Sequence, residues 1–213
     1  MSAARPFIVK ICGVTTPEDA RTAVDAGADA VGVNLWPQSK RYADDAAARA
    51  VVDAIPPGVL KVGVFVNAPV AEVRARVAAL GLDRAQLHGD ETPAEFATLP
   101  SGQLVRVVRV RDEASFAGGA GWAPSLFLYD ALVDGYGGAG VTAPWALVSR
   151  LARRPFLLAG GLTPENVADA IAATRPDGVD VASGVEIDSA PGRKDPERVR
   201  RFIQAARDAF AKL

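Results

Sequence analysis

The chain has 213 residues, 49% of them hydrophobic, enough for one core that buries about 70% of the unfolded-state surface. Its 24 basic and 25 acidic side chains nearly cancel, and no local cluster stands out, which excludes a broad field for nucleic acid or an anionic membrane. A small anion is still within reach, because backbone N–H groups at helix N-termini can hold a phosphate without excess Lys or Arg.

Short β-rich runs alternate with Ala-rich segments of helical period, beginning with strand FIVKI at Phe7, a helix from about Pro17 to Ala26, and strand AVGVNL from Ala30. The rhythm continues through KVGVFV from Lys61, a helix from Ala68 to Leu80, AQLH from Ala85, and a helix from Pro93 to Leu99. Further strands are expected at Leu104–Val110, Leu126–Tyr129, Phe156–Leu158 and Gly178–Val181, the last followed by a long amphipathic helix from about Asp195. In the fifth helical position DEASFAGGAGWAP is too rich in Gly for more than a turn or two. Eight βα units leave roughly 27 residues each, near the lower end for a closed barrel. The expected fold is α/β, a single-domain (β/α)8 TIM barrel over residues 1–213, without a linker or low-complexity tract.

Cys12 is the single cysteine, so no internal disulfide can form. The start MSAARPFIVKICG lacks the basic region and long apolar run of a secretory signal, and no apolar run reaches the roughly 18 residues of a membrane span. A soluble cytoplasmic protein is expected.

In such barrels the active site lies at the C-terminal ends of the strands. KICGVT puts Cys12 at the end of the first strand, where its thiol is either a small buried hydrophobe or, with cations such as Lys10 nearby, a base. FLYDALVD puts Asp130 at the end of the sixth, as a proton donor or as a turn and cap residue, with Asp134 as the competing acid. LLAGGLTPENV offers Gly160 and Gly161 before a helix near Thr163, and VASGVE offers Ser183 and Gly184. Loops in these positions are either ordinary turns or a phosphate site. GYGGAG from Gly135 lies beyond its strand and lacks the acidic residue about 20 positions on that dinucleotide binding needs, so it reads as a lid or a surface loop. His88 is the only histidine, structural or functional, and neither it nor the carboxylates have metal-ligand spacing.

Taken in order, KICGVT, GADAVGVNLWPQSKRY, VGVFVN, QLHGDE, LAGGLTPENV and VASGVEIDSAPGRKD resemble the motifs of the phosphoribosylanthranilate isomerase family, from Lys10 to Asp195. The resemblance implies a cofactor-free, metal-free Amadori rearrangement in tryptophan biosynthesis, converting N-(5-phosphoribosyl)anthranilate to 1-(2-carboxyphenylamino)-1-deoxyribulose 5-phosphate. It also implies Cys12 as general base and Asp130 as general acid. Arg41 would face the anthranilate carboxylate, Gly160, Gly161, Ser183 and Gly184 the phosphate, and Gln86 and His88 the substrate pocket. Asn34, Gln38, Lys40, Ala139 and Ala182 depart from the usual pattern and bear on substrate contacts rather than on the reaction class. Two other readings stand beside it: a histidine-pathway sugar-phosphate isomerase, which resembles a paired-aspartate design, and a non-catalytic phosphate-ligand sensor. No unusual apolar surface stripe stands out, so a monomer is expected.

Overall fold

A computed structural model describes residues 7–131 and 142–213. Asp134, the GYGGAG run and Ala139 lie outside the described residues. Eight parallel strands close into a ring: β1 (Ile8–Ile11), β2 (Ala30–Asn34), β3 (Leu60–Phe65), β4 (Arg84–Leu87), β5 (Leu104–Val110), β6 (Leu126–Ala131), β7 (Phe156–Leu158) and β8 (Gly178–Val181). Each pairs with its successor, and β8 returns to β1 in the register Ile8↔Gly178 through Ile11↔Val181.

Alternation along the strands divides the core in two. Val105, Val107, Leu128, Leu157 and Ala159 pack together inside the ring, with Ile8 and Leu126 against them. Their neighbours in sequence, among them Val9, Val108, Phe127, Tyr129, Phe156, Leu158 and Val179, turn outward into the larger layer under the helices.

Among the described residues six helices cover the ring: α1 (Pro17–Asp25), α2 (Asp45–Asp53), α3 (Val70–Leu80), α4 (Trp145–Leu151), α5 (Val167–Thr174) and α6 (Pro196–Phe210). Three begin where an oxygen-bearing side chain satisfies orphan amides: Thr16 accepts from Asp19 N, Asp44 from Ala47 N, and Asp195 from Glu197 N and Arg198 N. Pro17 and Pro196 occupy first helical positions, where the missing N–H costs nothing. The α6 helix carries Val199, Phe202, Ile203 and Ala206 on its buried face, the i, i+3, i+4, i+7 spacing that the sequence displays.

Two expectations change. The helix expected at Pro93–Leu99 is a series of turns, with Ala97 N bonded to Ala94 O and Leu99 N to Phe96 O, each three residues back. Pro93 and Pro100 bracket a window too short to repay helix nucleation, while Phe96 still packs on Trp122 with ring centroids 6.3 Å apart. The fifth helical position holds a 3₁₀ segment, Glu113–Gly119, begun by a reciprocal Asp112–Ser115 cap. Beyond the eight units an unanticipated antiparallel hairpin, β9 (Glu186–Ile187) with β10 (Ala190–Lys194), folds back over the start of α1. There Thr15 Oγ1 donates to Gly192 O at 3.0 Å and Arg193 Nε to Asp19 Oδ2 at 3.0 Å.

Candidate active site

Cys12 continues the β1 ladder by one residue, its N–H donating to Val181 O at 2.8 Å, and is 9% exposed. Strand alternation therefore puts its side chain on the same inner face as Lys10. The Lys10 ammonium donates to Asp180 Oδ1 across the β1–β8 seam at 2.8 Å, and both groups are buried. Gly32 on β2 makes room for this arrangement. A Cβ there would stand 2.8 Å from Cys12 Sγ and 3.0 Å from Lys10 Nζ, so sulfur and ammonium share the space of one missing methyl group. Burial pushes the Cys12 thiol up and Asp180 adds to this, while Lys10 and Lys194 pull it back, and the balance lies above the ordinary thiol value. Burial alone would lower Lys10, but Asp180 and Cys12 outweigh it and hold the amine above the usual lysine range.

Arg41 lies against the same corner, its Cδ in the space that a Cβ on Gly13 would need. Its fork is clamped: Nε donates to Glu186 Oε1 at 2.6 Å and Nη2 to Oε2 at 2.8 Å. Glu186 also accepts from Lys194 Nζ at 2.9 Å, and Lys194 reaches Ala182 O at 3.1 Å. Burial pushes the Glu186 carboxyl up, but Arg41 and Lys194 hold it below the usual carboxylate range. The hairpin thus supplies Glu186 and Lys194, which sequence reasoning missed. It quoted their motif but had no signal for the fold-back. Asn34, one of the departures in the second-strand loop, shapes the entry to this segment by accepting from Trp36 N at 3.0 Å.

The second corner is built on β6, separated from β1 by β7 and β8. Asp130 is 8% exposed and accepts from Ala131 N through Oδ1 at 2.8 Å, while its Oδ2 lies 3.4 Å from His88 Nε2. At that distance the two groups are in ion-pair range without an aligned hydrogen bond. Gly160, with φ +86°, lies directly against this carboxylate, since a Cβ on it would stand 2.9 Å from Oδ1 and 2.6 Å from Ala131 N. Its place in the structure is beside the acid.

Gly161, Ser183 and Gly184 meet where the loops after β7 and β8 adjoin, lining a pocket of about 500 Å³ with Thr163, Arg198 and Arg201. Asn166 sets the shape of the first loop, accepting from Thr163 N at 2.8 Å and donating to Gly161 O at 2.9 Å. Arg198 is paired with Asp188 at 2.6 Å and Arg201 with Glu165 at 2.8 Å, so both cations already carry carboxylate partners.

Gln86 is placed differently from the expectation. It precedes His88 by two residues on the same face of β4, one layer deeper, and is 2% exposed. It lines an interior cavity of about 170 Å³ together with Ile8, Lys10, Leu60, Val105, Leu126 and Leu157, which reaches toward the N-terminal ends of the strands, and its Oε1 has no hydrogen-bond partner. Among the described residues no cluster of His, Cys, Asp and Glu is arranged to hold a metal ion.

Residues 9–205 match the sequence profile of N-(5′-phosphoribosyl)anthranilate (PRA) isomerase. The N-(5′-phosphoribosyl)anthranilate isomerase of Myxococcus xanthus is 48% identical over 205 residues, which cover 93% of this chain and 95% of that protein. Among solved structures, phosphoribosyl anthranilate isomerase from Thermotoga maritima is similar with a TM-score of 0.87 and 38% identity, over 95% of this chain and 99% of its own. A phosphoribosyl anthranilate isomerase in complex with reduced 1-(o-carboxyphenylamino)-1-deoxyribulose 5-phosphate gives a TM-score of 0.83 and 35% identity over the same shares, 95% and 99%.

Proposed function

This chain belongs to the N-(5′-phosphoribosyl)anthranilate isomerase family, and from that premise we propose that Asp130 and Cys12 are the acid and base of its reaction. The protein is an intramolecular isomerase of tryptophan biosynthesis that carries out the Amadori rearrangement of N-(5-phosphoribosyl)anthranilate to 1-(2-carboxyphenylamino)-1-deoxyribulose 5-phosphate. The observation that carries the assignment of roles is the pair of buried corners, Cys12 with Lys10 on one and Asp130 with His88 on the other, both at the C-terminal end of the ring.

Asp130 donates a proton to the ribose ring oxygen, the C1–O bond breaks, and the anthranilate nitrogen lone pair forms the C1=N bond of an iminium. That cation acidifies the neighbouring C2–H. The Cys12 thiolate takes the C2 proton, the C–H electron pair becomes the C1–C2 bond's second pair, and the iminium π electrons return to nitrogen. The enolamine so formed tautomerises to the ketose. No electron leaves the substrate, so the sequence of steps needs no redox partner.

Arg41, held in one plane by Glu186, offers its remaining Nη1 to the anthranilate carboxylate. The loops bearing Gly161, Ser183 and Gly184 receive the 5-phosphate through backbone N–H groups, since Arg198 and Arg201 are already paired. His88 orients Asp130, and Gly160 gives the acid its space. The reading includes a single domain and a place in the cytoplasm, as suits a biosynthetic enzyme family. No helix among the described residues is long and apolar enough to cross a membrane.

The test follows anthranilate-type fluorescence as fresh substrate is turned over by wild type, Cys12→Ala and Asp130→Asn. Each variant is expected to lose about 10²-fold or more in kcat, the usual worth of a positioned proton-transfer group. Because the thiol lies above its ordinary value, kcat/KM of wild type should rise with pH through neutrality and keep rising past about 8.5. A wild-type rate in either variant would remove that residue from its role.

A further inference from the structure

Three cations and two carboxylates surround the Cys12 sulfur: Lys10 on β1, Lys194 on β10, Arg41 after β2, Asp180 on β8 and Glu186 on β9. With all five ionised the cluster carries one positive charge, and a thiolate at Cys12 brings it to zero. Two of the cations are committed elsewhere. Arg41 spends two donors on Glu186, and Lys194 gives its own to Glu186 Oε1 and Ala182 O. Lys10 Nζ gives one of its three donors to Asp180 Oδ1, and the Gly32 notch brings the same nitrogen against the sulfur.

We propose that Lys10, held by Asp180 and seated with Cys12 in the Gly32 notch, is the positioning residue that sustains the negative charge on the Cys12 sulfur inside the barrel. The assignment rests on Cys12 being the base. A buried lysine is costly to keep charged without a carboxylate beside it, and Asp180 meets that need while opposing the thiolate, so the two side chains act on Cys12 with opposite signs. A pair that served only as a strut between β1 and β8 would have no such signature.

Cys12 is the sole cysteine, so its titration can be followed directly by thiolate ultraviolet absorbance and by the pH dependence of iodoacetamide alkylation in the full chain. Lys10→Met, which keeps the length of the side chain, is expected to move the thiol titration upward by about one pH unit or more. It should also lower kcat about 10-fold, one pH unit being tenfold in thiolate, with KM within about a factor of two. An unchanged or downward-shifted titration in folded Lys10→Met overturns the proposal. If Lys10→Met does not fold, Lys10→Gln decides in its place: an upward shift of the thiol titration supports the proposal, and no shift or a downward one overturns it. Failure of the base assignment is read separately, as Cys12→Ala turning over at the wild-type rate.

Discussion

Glu186 shows how much of the site depends on single contacts. It is 5% exposed and accepts hydrogen bonds from two cations, so neutralising it leaves the buried Lys194 and the partly buried Arg41 without a counter-charge. Glu186→Gln is expected to cost about 3–5 kcal/mol of stability, the range for breaking a buried pair from one side. The Arg41 fork also loses the partner that fixes its plane, so KM should rise about 10-fold, equivalent to about 1.4 kcal/mol. Denaturation and steady-state kinetics check the two effects. The pH dependence has a definite sign. The Glu186 carboxyl is held below its unfolded value of about 4.3, so its contribution is complete above that pH and is lost as pH falls through the folded value. Acid unfolding of Glu186→Gln should lack this component. At this scale the positions of Cys12, just after β1, and Asp130, next to last in β6, are legible because both lie at the C-terminal end of a strand. The depth of Gln86 is not legible, since one-layer differences along a strand leave no mark on a motif.

Elements read well wherever the hydrophobic period was long. Strands β5, β7 and β8 occupy the ranges expected from their β-branched and aromatic runs, and α6 follows its apolar stripe from Val199 to Ala206. Phe202 lies at the centre of that stripe and is fully buried, so Phe202→Ala should destabilise the protein by about 3–5 kcal/mol, measured by denaturant unfolding. Because Phe202 contacts the outer layer rather than the mouth, the folded fraction should retain its kcat. The segment after β4 failed as a helix because Pro93 and Pro100 set its length, and propensity cannot overcome a nucleus with so few bonds to follow it. Hairpin β9–β10 is not legible because its residues, EI and APGRK, form no β-branched or aromatic run, and Pro191 and Gly192 read as a turn.

Closure of the ring brings distant groups together. Lys10 and Asp180 are 170 positions apart, and Arg41 and Glu186 are 145 apart, yet each pair is in direct contact because β8 seals against β1 and the hairpin follows at once. The exposed large hydrophobic residues among those described, Tyr42, Ile187, Phe210 and Leu213, are distributed over separate elements. We therefore expect a monomer, and sedimentation at a mass near 22.2 kDa checks this, whereas a mass of twice that value would require a self-complementary face.

The repeat of eight βα units, the strand-end position of Cys12 and Asp130, and the glycine loops after β7 and β8 were determined by the sequence alone, because alternation, helical period and turn chemistry are local properties of the chain. The charge balance around Cys12, the clamp on Arg41 and the depth of Gln86 were decided only by the tertiary structure. Each depends on which strand face meets which across the ring, and on how far burial outweighs a partner charge, quantities that exist only once the barrel has closed.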